Sequence, residues 1–305
     1  MNAAIRAVVR CAIPSGLEVV GIERGYSGLI SNQISPLDLR SVGKILHLGG
    51  TFLRSARCPE FKTIEGVQRG ADVLRENQID GLIVIGGDGS FKGAVKLGKH
   101  IDIPIIGIPA TIDNDVAGTD TTIGFDTAVN TALNAIDKIR DTALSHERVF
   151  VVEVMGRDRG FLALEVGLTA GAGIILVPEI ECSLKKIIEI IKGYEEKGKA
   201  TTIIVAAEGI GNTSSVVKYI EKHTSFDVRL SKLGYIQRGG SPTARSRLLA
   251  NLFGAKAVEI FLEGAKNKMI GLQDNNLVAV DLDYACNTWK PLNTNLYELA
   301  EKLAV

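Results

Sequence analysis

Short, wholly apolar runs alternate along this chain with longer segments of helical period, and that alternation limits the fold more than any other feature. Leu82–Ile85, Ile105–Ile108, Val149–Val154, Ile174–Val177 and Thr202–Ala206 are apolar at nearly every position. A strand wetted on one side alternates apolar with polar residues, whereas a strand covered on both faces does not. Leu17–Ile22 reads as a further strand. In the intervening segment Phe125–Ala143, the residues Phe125, Val129, Leu133, Ile136 and Ile139 share one stripe, and Leu184–Lys197 is a second amphipathic helix. Strand–helix alternation predicts α/β domains with mostly parallel, doubly wound sheets. The chain opens in a helix, Asn2–Ile13, where a doubly wound domain ordinarily has a strand and a glycine-rich turn first.

A length of 305 residues accommodates two domains of ordinary size. Hydrophobic residues make up 46% and aromatic ones only 5%, so aliphatic side chains must fill the core. There is no internal repeat or low-complexity linker, so any domain boundary is a short crossing of the chain. A formal net charge of zero argues against a general nucleic-acid or membrane-surface binder. Any anionic ligand must therefore be held by a local group of basic residues. Cys11, Cys58, Cys182 and Cys286 form no CxxC pair, and no His stands at zinc-ligand spacing from them. They read as reduced thiols of a cytoplasmic protein. No apolar run approaches the roughly eighteen residues a bilayer span needs. His47, His100, His146 and His223 are scattered, and none reads as a catalytic base.

Four motifs carry chemistry. Gly86-Gly87-Asp88-Gly89-Ser90 joins a strand to a helical pattern. Glycines admit a phosphate close to the backbone, and the helix start offers free N–H groups and a positive dipole end. Asp88 at the strand tip suits Mg²⁺. The same residues also describe a tight turn capped by Asp or Ser. Thr111-Ile112-Asp113-Asn114-Asp115 follows the strand Ile105–Ile108. A carboxylate there is placed to take a proton from an attacking hydroxyl, with a second to orient it or meet a metal shell. The alternative is an Asx-rich turn. Met155-Gly156-Arg157 and Gln237-Arg238-Gly239-Gly240-Ser241-Pro242 add arginines, as do Arg57, Arg148 and Arg229. Arginine grips phosphate bidentately, although each taken singly also reads as a solvated charge. Arg157 follows a buried-looking strand, which predicts a head directed into a cleft. No GxxxxGK[ST] sequence is present, which argues against a Walker-type NTPase.

These residues, in this order, resemble the bacterial ATP-dependent 6-phosphofructokinases, with a likeness running from Met1 to nearly Val305. The resemblance implies two α/β domains around an active-site cleft. The larger, ATP-binding domain is expected at 1–124 plus 237–290, and the smaller, sugar-phosphate-binding domain at 125–236 plus 291–305. It implies a cytoplasmic glycolytic homotetramer whose active sites are shared between subunits, using ATP and Mg²⁺ on fructose 6-phosphate. Asp113 is then the general base, beside Thr111 and Asp115. Asp88 serves Mg²⁺, while Arg57, Cys58, Gly87, Gly89 and Ser90 hold ATP. Arg57 and Arg157 stabilise the transferring charge. Met155, Gly156, Glu208 and Arg238 contact the sugar phosphate, and Arg148 and Arg229 reach it from a neighbouring subunit. Small residues at Gly89 and Ala110, where pyrophosphate-using relatives carry Asp and Lys, favour ATP.

The sequence departs from the family pattern in three places. The family begins with a strand and a Gly-Gly-Asp turn, and this chain begins just after them. Tyr235 stands where a His is usual, which implies weaker sugar binding. Arg6, Arg10, Arg140, Lys197 and Lys199 match basic effector-binding positions, yet Leu39, Lys44 and Gly173 replace an Arg, an Asp and a Glu. These changes together imply a pocket that still attracts anions such as phosphoenolpyruvate and has lost Mg-ADP activation; the alternative is that the basic residues are surface charges with no regulatory role. Two other functions remain open: another kinase with a GGDG turn, of the NAD or lipid type, and a catalytically impaired sugar-phosphate-binding subunit.

Overall fold

The computed structural model describes residues 1–199 and 201–304. The first elements are α1 (Asn2–Ala12), β1 (Val19–Ile22), α2 (Tyr26–Ile30), β2 (Ile34–Leu37), α3 (Ile64–Glu76), β3 (Leu82–Gly86), α4 (Asp88–Gly98) and β4 (Ile105–Pro109). There follow α5 (Phe125–His146), β5 (Val149–Val154), α6 (Phe161–Thr169), β6 (Ile174–Leu176), α7 (Leu184–Glu196), β7 (Thr202–Ala207), α8 (Thr213–His223) and β8 (Val228–Lys232). The last are α9 (Ala244–Leu262), β9 (Lys268–Gln273), β10 (Asn276–Asp281), α10 (Leu282–Asn287) and α11 (Thr294–Leu303). Two compact units result. Unit 1 comprises Met1–Thr111, Asp115–Gly124 and Gly240–Lys290; unit 2 comprises Ile112–Asn114, Phe125–Gly239 and the stretch from Pro291 onward.

Unit 1 is built on a four-stranded sheet in the order β10-β9-β4-β3. β3, β4 and β9 run parallel, and β10 returns antiparallel to β9. Every residue of β4 is buried, as the unbroken apolar run requires. Its side chains divide by period two: Ile105 joins Leu74, Phe91 and Leu97 on one face, while Ile106 and Ile108 join Ala4, Val8, Ala250 and Phe253 on the other. α1 and α9 approach closely because small residues meet, and a Cβ on Gly254 would stand 2.6 Å from Ala7 Cβ. The β9–β10 hairpin turns through Asp274 and Asn275, both with positive φ, the conformation a two-residue turn needs.

Unit 2 has an all-parallel sheet in the order β6-β7-β5-β8. β7 is buried throughout. Val152, Val154, Ile203 and Val205 pack on one face with α5 and α6 residues, and Val149, Val151, Ile204 and Ala206 pack on the other with α7 and α8. Ser183, Asn212 and Asn293 cap α7, α8 and α11 through their side chains, each worth about 1 kcal/mol.

One expected strand lies elsewhere. Leu17–Ile22 narrows to β1 and pairs antiparallel with β2 in a separate two-stranded sheet. β2 contains Pro36, which confines it to an edge-type pairing.

Candidate active site

The candidate residues fall into two groups, one in each unit. In unit 1, β3 ends at Gly86 and α4 begins at Asp88, so Asp88, Gly89 and Ser90 form the first helical turn. Gly87 is the N-cap and supplies no side-chain cap hydrogen bond. A Cβ at Gly87 would stand 3.2 Å from Thr111 Cβ, whereas one at Gly89 would meet nothing within 4 Å. Gly87 is therefore glycine for close packing, and Gly89 faces open space. Tyr26 steadies the turn, its hydroxyl donating to Ser90 O at 2.6 Å while its ring stacks on Phe61. Burial pushes the Tyr26 hydroxyl's pKa well up, keeping it a donor.

Asp88 accepts from Lys92 Nζ at 2.8 Å. That contact, with the charges of Asp88 and Asp115, raises the Lys92 pKa against the opposing effect of burial. Asp115 Oδ1 is buried without a hydrogen-bond partner. Among the described residues no cluster of three or more His, Cys, Asp or Glu is assembled for a metal. Arg57 is exposed, and Cys58 precedes the short 3-10 turn Pro59–Lys62. The loop that leads to them is anchored by a residue that no sequence motif singles out. Asn2, buried in α1, donates to the Leu48 and Gly49 carbonyls and accepts from Phe52 N. A polar side chain on the apolar face of a helix was the available signal.

In unit 2, Asp113 is 5% exposed, and its Oδ2 lies 3.2 Å from Arg157 Nε. Arg157 is thus directed at the carboxylate rather than at solvent alone. Its backbone N–H donates to Glu208 Oε1 at 2.7 Å. Glu208 opens a one-turn 3-10 helix after β7, and Gly209 lies so near the Arg157 carbonyl that a Cβ would stand 2.5 Å from it. Met155 is buried in the core, and its N–H donates to Gln237 Oε1 at 3.4 Å. Gln237 is only 1% exposed and also donates to Gly234 O. It opens the Gln237–Pro242 motif, and its work is to tie that motif to Met155.

Arg148 and Arg229 both bind Asp227 Oδ2, at 2.7 and 2.9 Å. Tyr235 is 77% exposed, with the Arg238 guanidinium 4.8 Å from its ring centroid. Of the expected effector residues, Arg6 and Arg10 lie on α1 in unit 1. In unit 2, Arg140 bonds Ala170 O, Lys199 bonds Ala304 O and lies over the Tyr194 ring, and Lys197 is exposed. Burial and then Arg140 lower the Lys199 pKa. At Gly173 a Cβ would meet Thr202 and Tyr194, whose hydroxyl donates to Gly173 O.

Residues 1–261 match the family Phosphofructokinase. The chain belongs to that family. It is 52% identical over 305 residues to the ATP-dependent 6-phosphofructokinase of Bacillus subtilis (strain 168), covering all of this chain and 95% of that one. Among solved structures, phosphofructokinase from Saccharomyces cerevisiae superposes with a TM-score of 0.86 at 33% identity over 99% of this chain. This chain spans 44% of that yeast chain's length. A pyrophosphate-dependent phosphofructokinase from Marinobacter aquaeolei, at 24% identity and a TM-score of 0.84, shares the fold over 96% of this chain and 82% of its own. Within the phosphofructokinase family the two groups of residues are candidates for phosphate handling in unit 1 and for acid–base chemistry in unit 2.

Proposed function

We propose that this chain is an ATP- and Mg²⁺-dependent 6-phosphofructokinase, moving the ATP γ-phosphoryl group to the 1-hydroxyl of fructose 6-phosphate. The full-length likeness to ATP-dependent relatives supports the donor and the acceptor. The buried Asp113 carboxylate, oriented by Arg157, carries the chemical part of the reading. Asp113 takes the proton of the 1-hydroxyl as the new oxygen–phosphorus bond forms and the β–γ bridge of ATP breaks. Gly87, Gly89 and Ser90 hold the ATP phosphates at the start of α4, where the N-cap residue offers no side-chain hydrogen bond. Open space at Gly89 supports a nucleotide over pyrophosphate. Arg57 and Arg157 neutralise charge on the transferring group.

The unpartnered Asp115 Oδ1 and the exchangeable Asp88–Lys92 contact fit Mg²⁺. Few protein carboxylates, with phosphate and water completing the shell, is how Mg²⁺ is usually held beside a nucleotide. When bound, the ion offsets negative charge on the phosphates. Met155, Gly156, Glu208, Tyr235 and Arg238 form the sugar side. Arg148 and Arg229 bind the 6-phosphate of a neighbouring subunit's substrate in a homotetramer, exchanging Asp227 for phosphate. Unit 1 is assigned as the ATP-binding domain and unit 2 as the sugar-phosphate-binding domain of a cytoplasmic glycolytic enzyme, so that residues 112–114 and 237–239, expected in the larger domain, go with the smaller one.

The test is turnover by the purified chain with ATP, Mg²⁺ and fructose 6-phosphate. Stoichiometric ADP and fructose 1,6-bisphosphate are expected. Turnover of NAD or a lipid in their place overturns the assignment in favour of another kinase. Sugar-phosphate binding without any turnover overturns it in favour of a non-catalytic subunit.

A further inference from the structure

The turn that presents Arg157 rests on a buried ion pair that the reaction itself does not use. Arg159 is 5% exposed. Its Nε donates to Glu179 Oε1 at 3.0 Å, and the same oxygen accepts from Gly160 N at 3.0 Å. The guanidinium also lies 4.9 Å from the centre of the Phe161 ring, which is part of the core. Glu179 follows β6, while Arg159 and Gly160 lie between β5 and α6. The contact therefore fastens one strand's connection to another's.

The fastened segment is an unusual one. Gly156 has φ 138° and Arg157 φ 54°, both in the left-handed half of backbone space, and Arg159 N closes the turn on Gly156 O at 3.0 Å. A non-glycine residue held there persists only where its surroundings over-determine it. Two carboxylates do so here: Glu208 holds the Arg157 N–H, and Glu179 holds Gly160 and Arg159. Glu179 Oε2, by contrast, is buried with no partner. A buried ion pair with an unsatisfied oxygen adds little net stability, because desolvation offsets the attraction. Its physical effect is a fixed position. Arg157 Nε is the group whose place depends on that position, since it must stay on Asp113.

We infer that Arg159 and Glu179 are positioning residues. They lock the Met155–Gly160 turn and thereby aim Arg157 at Asp113. This rests on the reading of Asp113 and Arg157 as reaction machinery. The pair sets the acceptor side of the reaction and leaves the ATP side untouched.

The experiment replaces the pair by matched apolar residues, Arg159→Met with Glu179→Met, a change of the kind that buried pairs often tolerate without loss of stability. Two measurements are made on the full chain. Amide hydrogen exchange is expected to speed up about 10-fold or more, at Gly160 for loss of its acceptor and at Arg157 and Arg159 because the turn that keeps their own acceptors in place is loosened. The kcat/KM for fructose 6-phosphate is expected to fall about 10- to 100-fold with the KM for ATP unchanged. Arg159→Lys, which keeps a cation on Glu179, is expected to recover most of both. A folded double variant with wild-type exchange in this turn, or with wild-type kcat/KM for the sugar, overturns the inference. If the double variant does not fold, Glu179→Gln decides by exchange at Arg157 and Arg159 and by kcat/KM for the sugar, since it keeps an acceptor for Gly160 and removes the charge. If the wild-type chain shows no turnover, that counts against the proposed reaction, and the exchange measurement still judges the brace.

Discussion

Unit 1 and unit 2 make their candidate sites from different materials. The unit 1 site is chiefly backbone: a glycine-rich strand end, a helix start without a side-chain cap, and one close approach at Gly87. The unit 2 site is chiefly side chains gripping one another or the main chain. They include Asp113 with Arg157, Glu208 on Arg157 N, Gln237 on Met155 N, and Asp227 between two arginines. A backbone site is destroyed by what is added to it, and a side-chain site by what is removed. Phosphate, which needs many weak donors at close range, suits the first; proton transfer, which needs one carboxylate at a fixed spot, suits the second.

The largest expected effect tests the side-chain site. Asp113→Asn should lower kcat about 100- to 10,000-fold, the ordinary worth of a general base. The melting temperature should hardly move, since Arg157 is left largely in water. A loss under tenfold in steady-state turnover would mean that the base lies elsewhere. Next comes the backbone site. Gly89→Asp adds a carboxylate at a position whose Cβ would meet nothing within 4 Å. An acidic group in the first turn even favours the helix by about 0.3–1 kcal/mol. The KM for ATP should nevertheless rise by about tenfold or more through repulsion of phosphate. An unchanged KM alongside an unchanged fold would take the ATP phosphates away from α4.

Gln237→Ala sharpens the contrast at smaller scale. It deprives a buried N–H of its acceptor, a change that costs about 1–3 kcal/mol. Chemical denaturation should register that loss, and the KM for fructose 6-phosphate should rise while that for ATP stays put. The smallest effect concerns Cys286, whose pKa is pushed up to about 11, mainly by burial and then by the charges of Asp88 and Asp283. The folded thiol therefore stays protonated at a pH where an unfolded one ionises. Between roughly pH 9 and 11 the native state holds the extra proton, so this group's contribution to stability falls as pH rises through that window. Alkylation of Cys286 at pH 8 should be slower than that of a free thiol, and equal rates would contradict the shift.

Legibility in the sequence followed the same division. β4 and β7 were readable because burial on both faces leaves no polar position to confuse the pattern. β8 is hard to read because Arg229 and Ser231 alternate with Val228 and Leu230, and β10 because its apolar residues 277–280 are too short a run to be told from a helix segment by periodicity. The run Leu17–Ile22 reads as a strand, but only its last four residues pair, and with the Pro36-containing β2. The cradle at Gly86–Ser90 was visible because glycine is rare enough in series to announce a turn. Gln237, Glu179, Arg159 and Asn2 were not visible as braces, because each acts on a main-chain segment or partner far away in sequence. A single chain shows no such pairing until it is folded.

The way the chain is divided between the units bears on how it is made. Unit 2's sheet is complete once β8, ending at Lys232, has been added, but β9, which pairs with β4 in unit 1, begins only at Lys268. During synthesis the later-starting unit can therefore close its sheet first, while the earlier one waits with the edge of β4 unpaired. An unpaired, wholly apolar strand is an aggregation hazard. The vulnerable moment for this protein on the ribosome is the interval between residues 232 and 273, and slowing or shortening translation there should decide how much soluble chain a cell recovers.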